Sequence, residues 1–165
     1  MIDTRIDEFK LKKAVEEDTQ TIYDFVMKLA VYEDMVEDVI TNVDQLKENL
    51  FDKKQAEVLL AYYDNEVVGF CLFFVNFSTF LGSGGMYLED VYIDEKYRNK
   101  GLGKEVFYQL AKICQERGYT RFEWVCLDWN KPSREFYEKV IGAQALPEWV
   151  KYRLDEEGID KYVNK

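Results

Sequence analysis

The sequence predicts an α/β fold: a central mixed sheet with helices on both faces. Three observations carry this. Runs rich in Val, Leu, Phe and Tyr recur along the chain, interleaved with segments of helical period. Two of these runs, Glu57–Tyr63 and Val67–Phe77, are separated only by "DNE", a turn signal that makes them a hairpin. Further on, a strand–helix–strand order calls for a crossover, which adds a parallel pairing to the antiparallel ones.

The elements follow in order. Phe9–Ala14 is a candidate first strand. Asp18 is placed to cap a helix whose Ile22, Phe25, Val26, Leu29 and Ala30 fall at i, i+3, i+4, i+7 and i+8, one apolar stripe. The acidic stretch "YEDMVEDV" (Tyr32–Val39) comes next, then Thr41 or Asn42 caps a short helix bearing Val43, Leu46 and Leu50. After the hairpin, "STFLGSGG" (Ser78–Gly85) reads as a loop and "MYLEDVYI" (Met86–Ile93) as a strand. A helix from about Leu102 to Arg117 buries Leu102, Val106, Leu110, Ile113 and Cys114, and Gly118 ends it. Arg121–Leu127 is a strand. Asp128–Val140 is a loop entering a helix, with Pro132 in its first turn and Gly142 at its end. Trp149–Leu154 reads as a last strand before a charged, helix-compatible tail.

Length and composition set bounds. At 165 residues, with 47% hydrophobic residues and no repeats or linker, the chain is expected to form one domain, 1–165. A net charge of −10 disfavours nucleic acid and anionic membranes as partners and favours cationic ligands. The polar start and the absence of a long apolar run argue against a signal peptide or a spanning helix. The widely spaced Cys71, Cys114 and Cys126 read as reduced thiols of a cytoplasmic protein. The chain has no histidine, which removes the commonest general base and most zinc sites; no metal is expected.

The most informative segment is "YRNKGLGKE" (Tyr97–Glu105). It is not a magnesium-dependent nucleotide loop, because Arg98 stands at the leading glycine of GxxxxGK[ST] and Glu105 at the hydroxyl. It is only part of a dinucleotide fingerprint, since Val106 occupies the third glycine. What fits is RxxGxG at a strand–loop–helix junction. Successive N–H groups there face one anion, the helix N-terminus adds partial positive charge, and Arg98 adds charge-assisted hydrogen bonds. Such a nest suits a pyrophosphate.

The stretch "YLEDVYIDEKYRNKGLGKEVFYQLAKICQERG" resembles the central motif of the GCN5-related N-acetyltransferases, and "WNKPSREFYEKVIGA" resembles their second motif. "LAVYEDM", "YLED" and "WNKPSREFY" are similar to the diamine (spermidine/spermine) acetyltransferases, a subfamily whose relatives include enzymes preferring thialysine. The resemblance implies a mostly antiparallel, twisted sheet, acetyl-coenzyme A as cosubstrate, a small cationic amine as acceptor, and a homodimer. It places Arg98, Asn99, Lys100, Gly101, Leu102, Gly103 and Lys104 around the pyrophosphate. The backbone of Val91, Tyr92 and Ile93 would lie beside the pantetheine, with Asn130, Lys131 and Ser133 as further cofactor contacts. It also puts Tyr32, Glu33, Glu89, Glu123 and Trp124 against the substrate.

The chemistry can be stated from the residues. An alkyl amine with pKa about 10.4 is neutral in roughly one molecule in 2,500 at pH 7, so a proton acceptor is needed. Without histidine, carboxylates and tyrosines must supply acid and base. The resemblance selects Glu89 as the candidate base, acting through water, or else a binder of the ammonium. Strand alternation puts Glu89 and Asp90 on opposite faces. Tyr137 is the candidate acid, by full transfer or by hydrogen bonding to the leaving thiolate. The expected reaction is direct acetyl transfer in a ternary complex. The alternatives are a non-catalytic acetyl-coenzyme A-binding module, or an enzyme acting on protein amines. Ser78–Gly85 carries no acidic residue, which weakens a preference for long polyamines.

Overall fold

The hairpin organises the sheet. β3 (Glu57–Tyr63) and β4 (Glu66–Ser78) pair antiparallel, and the linking Asp64 and Asn65 both take positive φ, 49° and 67°. That pair of left-handed residues matches the twist of the strands it joins. β2 (Phe9–Lys13) lies outside β3 and β1 (Ile2–Asp3) outside β2, both antiparallel. β5 (Ser83–Ile93) pairs antiparallel with β4, and β6 (Phe122–Trp124) pairs parallel with β5. The sheet order is β1-β2-β3-β4-β5-β6, a mixed, mostly antiparallel α/β sheet. This computed structural model describes all residues, Met1–Lys165, and divides into two compact units, Met1–Leu127 and Asp128–Lys165.

In the first unit, alternation sends side chains to two helical layers. α1 (Thr19–Glu33) packs its Phe25 against Phe70 and Tyr92, with ring centroids 5.9 and 6.2 Å apart. Ile22, Leu50, Val58 and Leu60 complete that core, all at most 8% exposed. On the opposite face, α3 (Leu102–Glu116) lays Phe107 against Phe122 and Trp124, while Cys114 Sγ reaches Met86 Sδ at 3.8 Å. Neighbouring strands approach closely at one point: a Cβ on Gly69 of β4 would sit 2.2 Å from the Tyr92 carbonyl oxygen of β5, so only glycine fits there.

Several expectations change. Asp18 does not cap α1 with its side chain; its carboxylate instead accepts from the Val15 N–H (2.9 Å) and pairs with Lys12 (2.9 Å). Asn42, not Thr41, caps α2 (Val43–Lys47), through a reciprocal bond with Gln45. The helix then widens into a π turn, Glu48–Asp52. Half of the expected loop Ser78–Gly85 is strand, because β4 and β5 pair out to Ser78↔Ser83 and leave only 79–82 as the turn. Arg121–Leu127 shrinks to the three residues of β6.

The second unit contains α4 (Lys131–Glu135), which runs into a π turn, Phe136–Ile141, ended by Gly142 at φ 79°, and α5 (Glu156–Val163). Trp149–Leu154 is not a strand. Its backbone forms no strand, and Trp149, Tyr152 and Leu154 are 77%, 90% and 60% exposed. β-propensity alone cannot form a strand that has no ladder to join.

Candidate active site

Two features of β5 create the site. The first is an open edge. β6 covers β5 only at Met86–Leu88, yet β5 runs on to Ile93, so 89–93 has a ladder partner on one side only. The unpaired edge presents backbone polar groups that need partners. It includes Val91, Tyr92 and Ile93, the residues expected to flank an extended ligand. Tyr92 and Ile93 are 8% exposed, so their side chains belong to the core and only their backbone is available.

The second feature is a β-bulge. Consecutive Leu72 and Phe73 on β4 face Asp90 and Leu88 on β5, so Glu89 is the extra residue. The bulge breaks the simple alternation expected for Glu89 and Asp90. Asp90 shares its face with Leu72, which packs on the α1 core, while Glu89 is exposed at the bulge. Burial pushes the Asp90 carboxyl up to about 7, with the charges of Glu89 and Glu33 adding to the rise. Glu33 ends α1, and burial raises its carboxyl too. None of Glu33, Glu89 and Asp90 forms an ion pair or a side-chain hydrogen bond. Nothing in the sequence marked Asp90 as the perturbed carboxyl, because a bulge is a property of two strands together.

β5 leads directly into the glycine loop. A turn at Glu95–Tyr97 is closed by the Arg98 N–H donating to the Glu95 carbonyl (3.1 Å). Asn99 and Gly101 then take left-handed φ of 62° and 79°. Gly101 stands at the N-cap of the 15-residue helix α3, and its carbonyl accepts from the Glu105 N–H at 3.0 Å. The free N–H groups of that first turn and the helix dipole suit an anion. Leu102 is 2% exposed and pins the turn to the core, so only its backbone can contribute. Lys100 and Lys104 are exposed and add charge; Lys100 Nζ lies 5.1 Å from the Tyr63 ring centroid. Arg98 Nε donates to the Ile93 carbonyl (3.0 Å), and its guanidinium stacks 4.6 Å from the Tyr32 ring centroid. An expected cofactor residue and an expected substrate residue thus touch. Beside them lies a cleft of about 670 Å³, lined by Lys28, Val31, Tyr32, Tyr92, Asp94 and Lys96 among others. Lys28 pairs with Asp94 at 3.0 Å and ties α1 to the start of the loop.

Two expected substrate residues are otherwise engaged. The Glu123 carboxylate meets Arg121 Nε (2.9 Å) and accepts from Asn76 Nδ2 (2.8 Å), so its charge is already balanced. Trp124 packs edge-on against Phe107 at 4.9 Å, on the α3 face, whereas Glu123, opposite Tyr87, faces the other way. In the second unit, Asn130 is 5% exposed and caps α4, its Oδ1 accepting from the Ser133 N–H at 3.3 Å. Lys131 is exposed beside Glu135, and Tyr137 sits on the π turn with its ring edge-on to Phe136 at 5.6 Å.

The model of the acetyltransferase (GNAT) family matches residues 19–143, most of the chain. The chain belongs to the acetyltransferase (GNAT) family. As a GNAT it is an N-acetyltransferase that draws its acetyl group from acetyl-coenzyme A. It is 26% identical to a thialysine N-epsilon-acetyltransferase of Caenorhabditis elegans over 95% of this chain and 98% of that protein. An L-ornithine N5-acetyltransferase of Arabidopsis thaliana is 44% identical over 91 residues, 55% of this chain and 40% of that protein. An integron cassette protein from the mobile metagenome of V. cholerae shares the fold, with a TM-score of 0.79 and 24% identity over 96% of this chain and 99% of that one. The residues present fit the GNAT cosubstrate: an open strand edge for an extended arm runs straight into an anion nest.

Proposed function

We propose that this chain acetylates a primary amine on a small cationic molecule of diamine, polyamine, thialysine or ornithine type. One observation carries the reading. Three carboxylates without ion-pair partners, Glu33, Glu89 and Asp90, gather where β5 leaves β6, in a protein of net charge −10. They attract an ammonium group and offer its proton somewhere to go. The names of the two relatives support an amine at the end of a short side chain.

Acetyl-coenzyme A, when bound, supplies an acetyl thioester whose carbonyl carbon is the electrophile. Arg98, the backbone of Asn99–Gly103 and the cations Lys100 and Lys104 would hold its pyrophosphate, and the β5 edge at Val91–Ile93 would hold the extended arm. Tyr32 and Glu33 would orient the amine. Of the second unit, Asn130, Lys131 and Ser133 are proposed cofactor residues and Tyr137 the proposed acid for the leaving thiolate. Glu123 and Trp124 support the sheet rather than touch substrate. The transfer is direct. Burial drives the Cys71 thiol up to about 12, and Cys114 is also buried and raised, so neither is a thiolate at neutral pH. Cys126 is only partly buried, and it is the thiol to test: Cys126→Ala should keep full activity, and loss of activity would favour a covalent route. One functional domain spans 1–165, working in the cytoplasm as a homodimer.

The test is thiol release from acetyl-coenzyme A over a panel of ornithine, thialysine, lysine, putrescine, spermidine, spermine and an aminoglycoside. Short-chain amines should turn over best. Coenzyme A raising the melting temperature while no amine releases thiol would overturn the reading.

A further inference from the structure

Resting on that reading, we infer that the group receiving the ammonium proton is Asp90, presented by the β5 bulge on the α1 face of the sheet, with Glu33 and Glu89 holding the cation beside it.

The geometry separates the two neighbouring carboxylates. Glu89 is the unpaired residue of the bulge and is exposed. Asp90 is registered against Leu72, on the face that α1 covers with Phe25 and that ends in Glu33. The charges acting on Asp90 are Glu89 from its own strand and Glu33 from α1; β4 contributes apolar Leu72 opposite it. No Lys or Arg pairs with it: Arg98 turns to the Ile93 carbonyl, Glu95 and Tyr32, and Lys28 to Asp94. A carboxylate in negative, water-poor surroundings holds a proton more tightly.

That difference decides which carboxylate suits the task. Proton transfer from R–NH₃⁺ to a carboxylate breaks an N–H bond, forms an O–H bond and leaves the nitrogen lone pair free to attack. For an ordinary aspartate the equilibrium is unfavourable by about three millionfold, from pKa values of about 10.4 and 3.9. Asp90 titrates near 7, so the same transfer is unfavourable by only about 2,500-fold. The proton then leaves to water. Cation binding favours the ionised form of Asp90, so substrate primes its own acceptor.

The experiment compares Asp90→Asn, Glu89→Gln and the parent protein, with coenzyme A thermal shifts confirming that each variant is folded. For an alkyl amine at pH 7, Asp90→Asn should lower kcat/KM by about 100-fold or more and abolish the acidic limb near pH 7. A fluorinated amine already neutral at that pH should be affected far less. Glu89→Gln should raise KM and keep the limb. An Asp90→Asn variant that retains the limb, or that loses equal activity on both amines, overturns the assignment while leaving the acetyltransferase reading intact. A parent protein that turns over no amine overturns both. A second measurement needs no variant. With ¹³C-labelled aspartate, one carboxyl should titrate near 7 and move down on adding a cationic amine. All aspartates titrating at ordinary values would also overturn it.

Discussion

Glu105 occupies the position where a nucleotide loop needs a hydroxyl. In the structure it is 3% exposed and ties the amino-terminal segment to α3. Arg5 pairs with it at 2.8 Å and lays its guanidinium over the Tyr108 ring, while Gln109 Nε2 donates to Glu105 Oε1 at 2.9 Å. Burial alone would raise this carboxyl, but the hydrogen bonds from Gln109 and Arg5 outweigh it and hold the group below the usual range. A depressed folded pKa contributes stability above the unfolded value and loses it as pH falls through the folded one. Glu105→Ala should therefore cost about 2 kcal/mol at neutral pH, roughly 4–8 °C in Tm. The difference between variant and parent should shrink below about pH 4, where the glutamate protonates. Thermal denaturation across pH checks both. A variant as stable as the parent at pH 7 would show the pair to be ornamental.

Among the elements, β5 and α3 do most to build the site, and each depends on one backbone irregularity. The bulge at Glu89 turns a single strand into a carrier of two differently placed carboxylates. At the other end, Gly101 at φ 79° lets the chain turn from the loop into α3 with its first N–H groups free. No side chain would clash there, so the constraint is conformational rather than steric crowding. Gly101→Ala should destabilise by about 1–2 kcal/mol. It should also weaken coenzyme A binding, measured by calorimetry, while leaving kcat at saturating cosubstrate close to the parent value. Unchanged affinity would mean that the loop tolerates another conformation and that Arg98 alone holds the anion. Most of this architecture was legible beforehand, because a hairpin turn, a helical stripe and an RxxGxG run are each written within a few neighbouring residues.

At the scale of the molecule, charge is the dominant property. With 32 acidic against 22 basic side chains, the protein attracts cations over a range set by ionic strength. For a multiply charged amine, KM should rise severalfold between about 0.02 and 0.3 M salt, whereas kcat changes little. Initial-rate measurements decide it, and a KM independent of salt would assign recognition to short-range contacts alone. No helix is long and apolar enough to cross a membrane. The segment Trp149–Leu154 has the composition of a strand and the exposure of a surface, which sequence patterning had no means to foresee.

By itself the sequence determined the order and kind of most elements, the place of the RxxGxG loop at a strand–helix junction and the lack of any histidine. All of these depend on residue type or on spacing within one short segment. The tertiary structure decided how the surroundings of the carboxylates differ. Glu123 is balanced by Arg121 and Asn76, and Asp90 is set among Glu33 and Glu89, through contacts between strands and helices far apart in the chain. A carboxyl's proton affinity is fixed by what surrounds it, and only folding brings those surroundings together.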